Sequence, residues 1–184
     1  MAAVVYFGVI VAGILVWAIF AYNRLVHWRV QAEESWHDID TQLKRRWDLI
    51  PNVVDVVKGY ASHERGVFES VTQARAHALE VESPSDQAQA EEVLKDALFS
   101  LFIVAESYPQ LQANEDFVEM QRTLVEAEDA IQRSRRRYNV VVRELNTAIV
   151  TFPRNLIAAM FRFMPRDFYA LPDELQRLAP RICL

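Results

Sequence analysis

Residues 113–150 read ANEDFVEMQRTLVEAEDAIQRSRRRYNVVVRELNTAIV, and this stretch decides the fold. Phe117, Leu124, Ile131, Tyr138 and Leu145 recur every seven residues, and Met120, Ala127, Ser134, Val141 and Ala148 form a parallel row. Two rows in a heptad relation describe a coiled-coil-like seam, because seven residues bring a side chain back to nearly the same face after two helical turns. No Gly or Pro interrupts the stretch. Pro153 ends it, and Arg154–Met164 reads as a short terminal helix.

Upstream, residues 86–107 carry Leu94, Leu98, Leu101 and Ala105 at helical spacing and stop at Ser107-Tyr108-Pro109, where Pro109 restricts the backbone of Tyr108. Glu82-Ser-Pro-Ser-Asp86 is the clearest loop. Residues 52–79 place Val53, Val57, Tyr60, Val67, Val71 and Ala74 along one side, with Gly59 and Gly66 as a candidate line of close contact. Residues 23–50 carry a stripe of Leu25, Ala32, Trp36, Ile39, Leu43 and Ile50. Pro51 lacks a backbone donor and biases Ile50 away from helix, so the pattern predicts a kink or break near Leu49–Pro51. The 4 Gly all fall at or before Gly66, which leaves little hairpin chemistry. The expected fold is all-α: an up-down bundle of four long helices behind an N-terminal membrane helix.

That membrane helix is residues 2–22, AAVVYFGVIVAGILVWAIFAY. At helical rise it covers about 30 Å, the thickness of a bilayer's hydrocarbon core. Trp17 and Tyr22 lie toward one end, where amphipathic rings favour the interface. A cleaved signal peptide would need a basic start, a shorter apolar core and a small-x-small site; the chain has none of these, so an uncleaved anchor is expected. No Gly or Pro separates the anchor from residues 23–50, so the two read as one continuous helix. All 45 charged residues follow Asn23, with Arg24 and Arg29 nearest the span. The positive-inside rule then puts the N-terminus outside and the bundle in the cytoplasm. The expected division is an anchor at 1–22, a bundle at 23–164 and a tail at 165–184. For the aromatic residues Phe161, Phe163, Met164, Phe168 and Tyr169, three destinations stay open: the bundle, a neighbouring subunit or the membrane surface.

The net charge of -5 falls on the bundle and argues against nucleic acid, which is held through cationic patches. One cysteine, Cys183, leaves no internal disulfide and no site with several thiolates. Di-metal bundles use Glu-x-x-His on two helices; Glu34-Ser-Trp-His37 supplies one copy, and neither His63 nor His77 has a Glu three residues before it. Glu64 falls in register between Val57 and Val71, Arg46 continues the Ile39 row, and Glu128 and Arg135 flank Ile131. Charges at core positions have to be paired, so an interhelical ion-pair network that fixes register is the expectation, and a catalytic acid or base is not. No phosphate-binding loop or Gly-x-Ser-x-Gly motif occurs. The reading is therefore of no enzyme, with no cofactor and no metal. Arg133, Arg135, Arg136 and Arg137 spread around a helix and read mainly as a solvated face.

Three blocks carry a resemblance. The first runs through Asn23 and Gln42-Leu-Lys-Arg-Arg-Trp-Asp-Leu-Ile-Pro-Asn-Val-Val54, with Arg46, Asp48, Pro51 and Asn52, to Lys58, Tyr60 and His63-Glu64. The second is Ala105-Glu-Ser-Tyr-Pro-Gln-Leu-Gln-Ala-Asn114, with Tyr108-Pro109. The third is Glu128-Asp129, Arg135, Tyr138-Asn139, Asn146, then Phe152-Pro153 and Asn155. With these blocks in order, the chain resembles the LemA family of bacterial membrane proteins. The resemblance implies a helical bundle behind one anchor in the bacterial inner membrane and supplies no reaction. It also implies company with magnetosome membranes, membrane metallopeptidases and envelope-stress systems. The chain departs from the pattern with Trp47 for Tyr or Phe, Ser107 for Asn, and Arg162 for a common Gly.

Two functions follow as expectations. The first is a non-enzymatic anchored scaffold that forms a homo-oligomer and organises or remodels membrane or envelope components, with the lipid bilayer as its partner. The alternative is an adaptor or regulator of a membrane metallopeptidase or an envelope-stress signalling system.

Overall fold

The structure, a computed structural model, describes residues 1–170. About 85% of these are helical, and none of them lies in a strand. The first helix, α1, runs unbroken over Ala2–Tyr60, about 90 Å at helical rise. It is followed by α2 (Arg65–Glu80), α3 (Pro84–Glu106), the single turn α4 (Pro109–Gln112), α5 (Glu115–Val150) and α6 (Arg154–Met160). The expected all-α architecture is present, with the apolar segment continuous with the bundle. That segment is the one stretch of the described residues long and apolar enough to cross a membrane.

Pro51 does not break the chain, contrary to the expectation. It lies inside α1, and the helix continues for nine more residues. A proline here leaves the carbonyl four residues earlier without its amide donor. That carbonyl belongs to Trp47, and Arg75 of α2 donates to it from Nε at 2.7 Å. The lost bond is replaced from a neighbouring helix. The true break comes at Ala61–Glu64, just after the helix-weakening Gly59, where the chain reverses so that α2 can bury Phe68, Val71, Ala74 and Ala78.

Two further expectations fail for the same reason. Glu64 is exposed, because the break cancels the register between Val57 and Val71. A Cβ built on Gly59 or Gly66 meets nothing within 4 Å, so neither marks a close approach.

The helices pack as two antiparallel pairs, α1 with α5 and α2 with α3. Along the first pair Leu25 meets Ala148, Trp36 meets Tyr138, Asp38 meets Arg137, Arg46 meets Glu128 and Tyr60 meets Asn114. The two residue numbers in each of these contacts add to between 173 and 175, so one register holds along the whole seam. Both predicted rows of α5 contribute to the buried face, through Phe117, Leu124, Ile131, Tyr138 and Leu145 and through Ala127, Val141 and Ala148. Caps set the helix starts. Asn114 accepts from the amide of Phe117 at 3.0 Å and opens α5, whose first turn carries Glu115 and Asp116. Ser83 does the same for α3, with Pro84 at its first position. Past α6, residues 165–170 run back along α5, and Phe168, Tyr169 and Ala170 are buried. Residues 171–184, with Cys183 and the rest of the expected tail, lie outside the described residues.

Arg75→Ala is expected to cost about 1–2 kcal/mol in denaturation of the full chain in detergent, because it strands the Trp47 carbonyl. In a Pro51→Ala background the same change is expected to cost less than half as much, since the helix then supplies its own donor. Equal losses in both backgrounds would remove this account of Pro51.

Candidate functional site

Arg46 belongs to the α1 row of Leu25, Ala32, Ile39 and Val53, all of them buried. It is 4% exposed, in a position that otherwise takes an apolar side chain. Its Nη1 donates to Glu128 Oε2 of α5 at 2.5 Å, and its Nη2 pairs with Glu91 Oε2 of α3. Glu91 is itself buried and accepts twice more on Oε1, from Trp47 Nε1 at 2.8 Å and from Gln87 Nε2 at 3.2 Å. Gln87 also donates to the Ala78 carbonyl in the last turn of α2 at 3.1 Å. Gln132 donates to Glu128 Oε1 at 3.0 Å. One guanidinium thus connects to groups on all four long helices. Burial lowers its pKa, and the adjacent Glu128 carboxylate works in the opposite direction.

Beside this network, α5 carries a clamp for the segment after α6. Asn139 donates from Nδ2 to the Tyr169 carbonyl and accepts from the Tyr169 amide, each at 2.9 Å. Asn146 treats Arg166 the same way, at 2.8 and 2.9 Å. Arg135 Nε donates to the Tyr169 carbonyl at 3.2 Å, and the Tyr138 hydroxyl donates to the Asp167 carbonyl at 2.8 Å. The spacing has a simple cause. Asn139 and Asn146 are seven helical residues apart, about 10.5 Å. Tyr169 and Arg166 are three residues apart, about 10 Å when extended. The asparagine amides therefore each meet the N–H and C=O of one residue of the returning chain.

Clamping brings the Tyr169 ring against Trp36 at 6.1 Å and under the Arg135 guanidinium at 5.5 Å. Burial pushes the phenols of both Tyr138 and Tyr169 up to about 12.

The motif residues thus divide. Arg46, Glu128, Arg135, Tyr138, Asn139 and Asn146 come together in one polar core. Pro51 acts through Arg75, at the Trp47 carbonyl. Tyr60 accepts from Asn114 Nδ2 at 3.4 Å near the far end of the bundle, and Lys58 lies 5.6 Å from the Phe68 ring. Tyr108 caps α4 with Pro109 at its first position, and Pro153 caps α6. Asn23, Asp48, Asn52, His63 and Glu64 are exposed. Glu34 and His37 are exposed on α1, more than about 30 Å of helix from His63. Among the described residues no three His, Cys, Asp or Glu side chains converge as metal ligands would. Arg133, Arg136 and Arg137 are exposed, and Arg137 pairs with Asp38 at 3.2 Å.

Sequence reasoning missed Glu91, Gln87 and Trp47 as members of the network. Glu91 could have been found, since it leads the row of Leu94, Leu98, Leu101 and Ala105.

The LemA family model matches residues 35–183. Among curated relatives, magnetosome protein MamQ 1 of Paramagnetospirillum magneticum is 23% identical over 174 residues, covering 80% of this chain and 64% of its own. Protein LemA of Metamycoplasma hominis is 25% identical over 140 residues, covering 74% of this chain and 63% of its own. The chain thus spans somewhat less than two thirds of the length of these relatives.

A pH dependence follows from the two tyrosines. An unfolded phenol ionises near its ordinary value of about 10, before a folded one held near 12. Their contribution to stability is therefore complete below about pH 10 and is lost as pH rises toward 12. Tyrosinate absorbance is expected to show a late step near pH 12 that coincides with loss of tertiary structure and disappears in Tyr138→Phe/Tyr169→Phe. Complete phenol ionisation well below that pH, with the fold intact, would contradict it.

Proposed function

This chain belongs to the LemA family of membrane-associated proteins, and on that premise we propose that it is a non-enzymatic, membrane-anchored scaffold that self-associates and organises or remodels membrane or envelope components. The observation that carries this reading is the unbroken α1. It joins an apolar span to the centre of the bundle with no joint between them, so the bundle's distance from the membrane and its tilt follow those of the anchor. The polar core supports the same reading, since its carboxylates and amides are engaged with one another and with backbone. Arg24 and Arg29 just past the span support an outside N-terminus and a cytoplasmic bundle at the bacterial inner membrane.

Self-association has a surface available. The two helix pairs splay apart between α3 and α5, leaving a groove of about 540 Å³. Leu98, Phe99, Phe102, Val118 and Val125 line it, and Lys95 and Arg122 stand at its rim. Phe99 is 66% exposed and Val125 62% in the single chain. An apolar seam of this size favours a helix of a second copy. The adaptor reading places another protein's helix in the same groove.

Mass measurement of the full chain in lipid nanodiscs or mild detergent separates them. The expected result is an oligomer that falls to monomer in Phe99→Asp/Val125→Asp without loss of helicity. A strict monomer at every concentration would overturn the scaffold. A stoichiometric protease or signalling partner, with no self-copies, would support the adaptor instead.

A further inference from the structure

The register of the α1–α5 seam sets Val150, the last residue of α5, about level with Arg24, two residues past Tyr22. Tyr22 is the last residue of the apolar span. The chain turns at that level. α5 ends at Val150, and the corner of residues 151–164 folds against the first turns of α1 past the membrane. Phe161 and Phe163 meet Tyr22 tilted and edge-on, with ring centroids 4.7 and 5.9 Å away, and Ala158 clusters with Leu25. The contact reaches into the span itself, where Ala21 is buried and Ala18 half-buried while residues 1–17 are exposed.

The outer face of this corner is apolar where a water-exposed surface would be polar. Ala158 is buried and Ile157 half-buried against the bundle. The opposite face presents Leu156 at 58% exposure and Met160 at 73%, one helical turn apart. Phe152 at 74% and Met164 at 78% flank them. Arg154 and Arg162 are exposed on the corner, and on the adjoining turns of α1 the exposed Arg24 and Arg29 lie over the rings of Trp28 and Phe163 at 4.8 and 5.5 Å. The exposed carboxylates Glu33 and Glu144 belong to levels two or more turns further from the span. Arg162 has φ 54°, a left-handed conformation costly for a residue with a Cβ.

We propose that the corner Phe152–Met164 is a membrane-seating platform: Phe152, Leu156, Met160 and Met164 enter the boundary between headgroups and acyl chains, while Arg24, Arg154 and Arg162 engage anionic headgroups. Large exposed apolar side chains with arginines on the same corner, at the level where the apolar span ends, fit that boundary. The anchor then has a second foot beside it, and α1 is held at a fixed tilt. The proposal rests on the reading that residues 2–22 cross the bilayer.

Spin labels on the full chain in vesicles of phosphatidylethanolamine and phosphatidylglycerol test it, in a Cys183→Ser background. Single cysteines replace Val11 in the span, Met160 on the platform, or Val140, which is exposed on α5 far from the span. The expected order of collision with lipid-soluble oxygen over a water-soluble nickel chelate is Val11, then Met160, then Val140, with the Met160 ratio several-fold above that of Val140. A Met160 label as open to the chelate as the Val140 label, with the Val11 label protected, overturns the platform and leaves the anchor standing. A Val11 label open to the chelate overturns both. A Met160 label shielded from both reagents and broadened by a second label assigns the patch to another copy and overturns the membrane seat. Met160→Glu/Leu156→Glu is expected to bring a label at Phe152 out to the chelate while leaving the Val11 label protected.

Discussion

Arg46 enters a row of apolar side chains and meets Glu91 of α3 and Glu128 of α5 at the centre of the bundle. A guanidinium buried to this depth gives up most of its hydration, and its carboxylate partners only roughly restore it. Such a network adds little net stability over well-packed hydrocarbon. Its effect lies in what it forbids. A slip of α1 past α5 by one turn would leave Arg46 facing a hydrocarbon row and Glu91 without a cation, at about 3–5 kcal/mol. The network also joins the two helix pairs, together with the Arg75–Trp47 hydrogen bond, the Phe102–Phe117 ring contact and the shared apolar core.

Everything else in the fold uses that register. It sets Asn139 and Asn146 where the returning chain can be held, so that Tyr169 and Ala170 close the core beside the network. It brings α2 alongside Trp47, where Arg75 lets Pro51 remain inside a helix. The same register brings Val150, the end of α5, about level with Arg24, just past the apolar span. The unbroken α1 carries all of these constraints back to the apolar span.

Much of this was legible in the residues. The two rows of α5, the apolar span and the internal position of Arg46 all follow from periods that act locally, and the loop expected at Glu82–Asp86 shortens because Ser83 caps a helix that already starts at Pro84. The failures share a physical cause. Pro51 obeys a local rule unless a distant donor replaces its missing bond, and Arg75 is 24 residues away. Glu64 was placed in the core by extending a helical register through a break that only tertiary packing dictates. Glu91 sat in plain register at the head of an apolar row, yet a carboxylate there acquires meaning only when Arg46 arrives from another helix. Residues 166–169 have no periodicity of their own; the seven-residue interval between Asn139 and Asn146 was the one trace of them.

Amide hydrogen exchange on the full chain, comparing the natural protein with Arg46→Met, tests the central claim most directly. Met fills a similar volume without charge, and it leaves the α1–α5 seam otherwise whole. The account predicts that α2 and α3 lose protection markedly while α1 and α5 keep most of theirs, because the charged tie between the two pairs has been cut. Uniform loss over all four helices, or protection unchanged in α2 and α3, would contradict it.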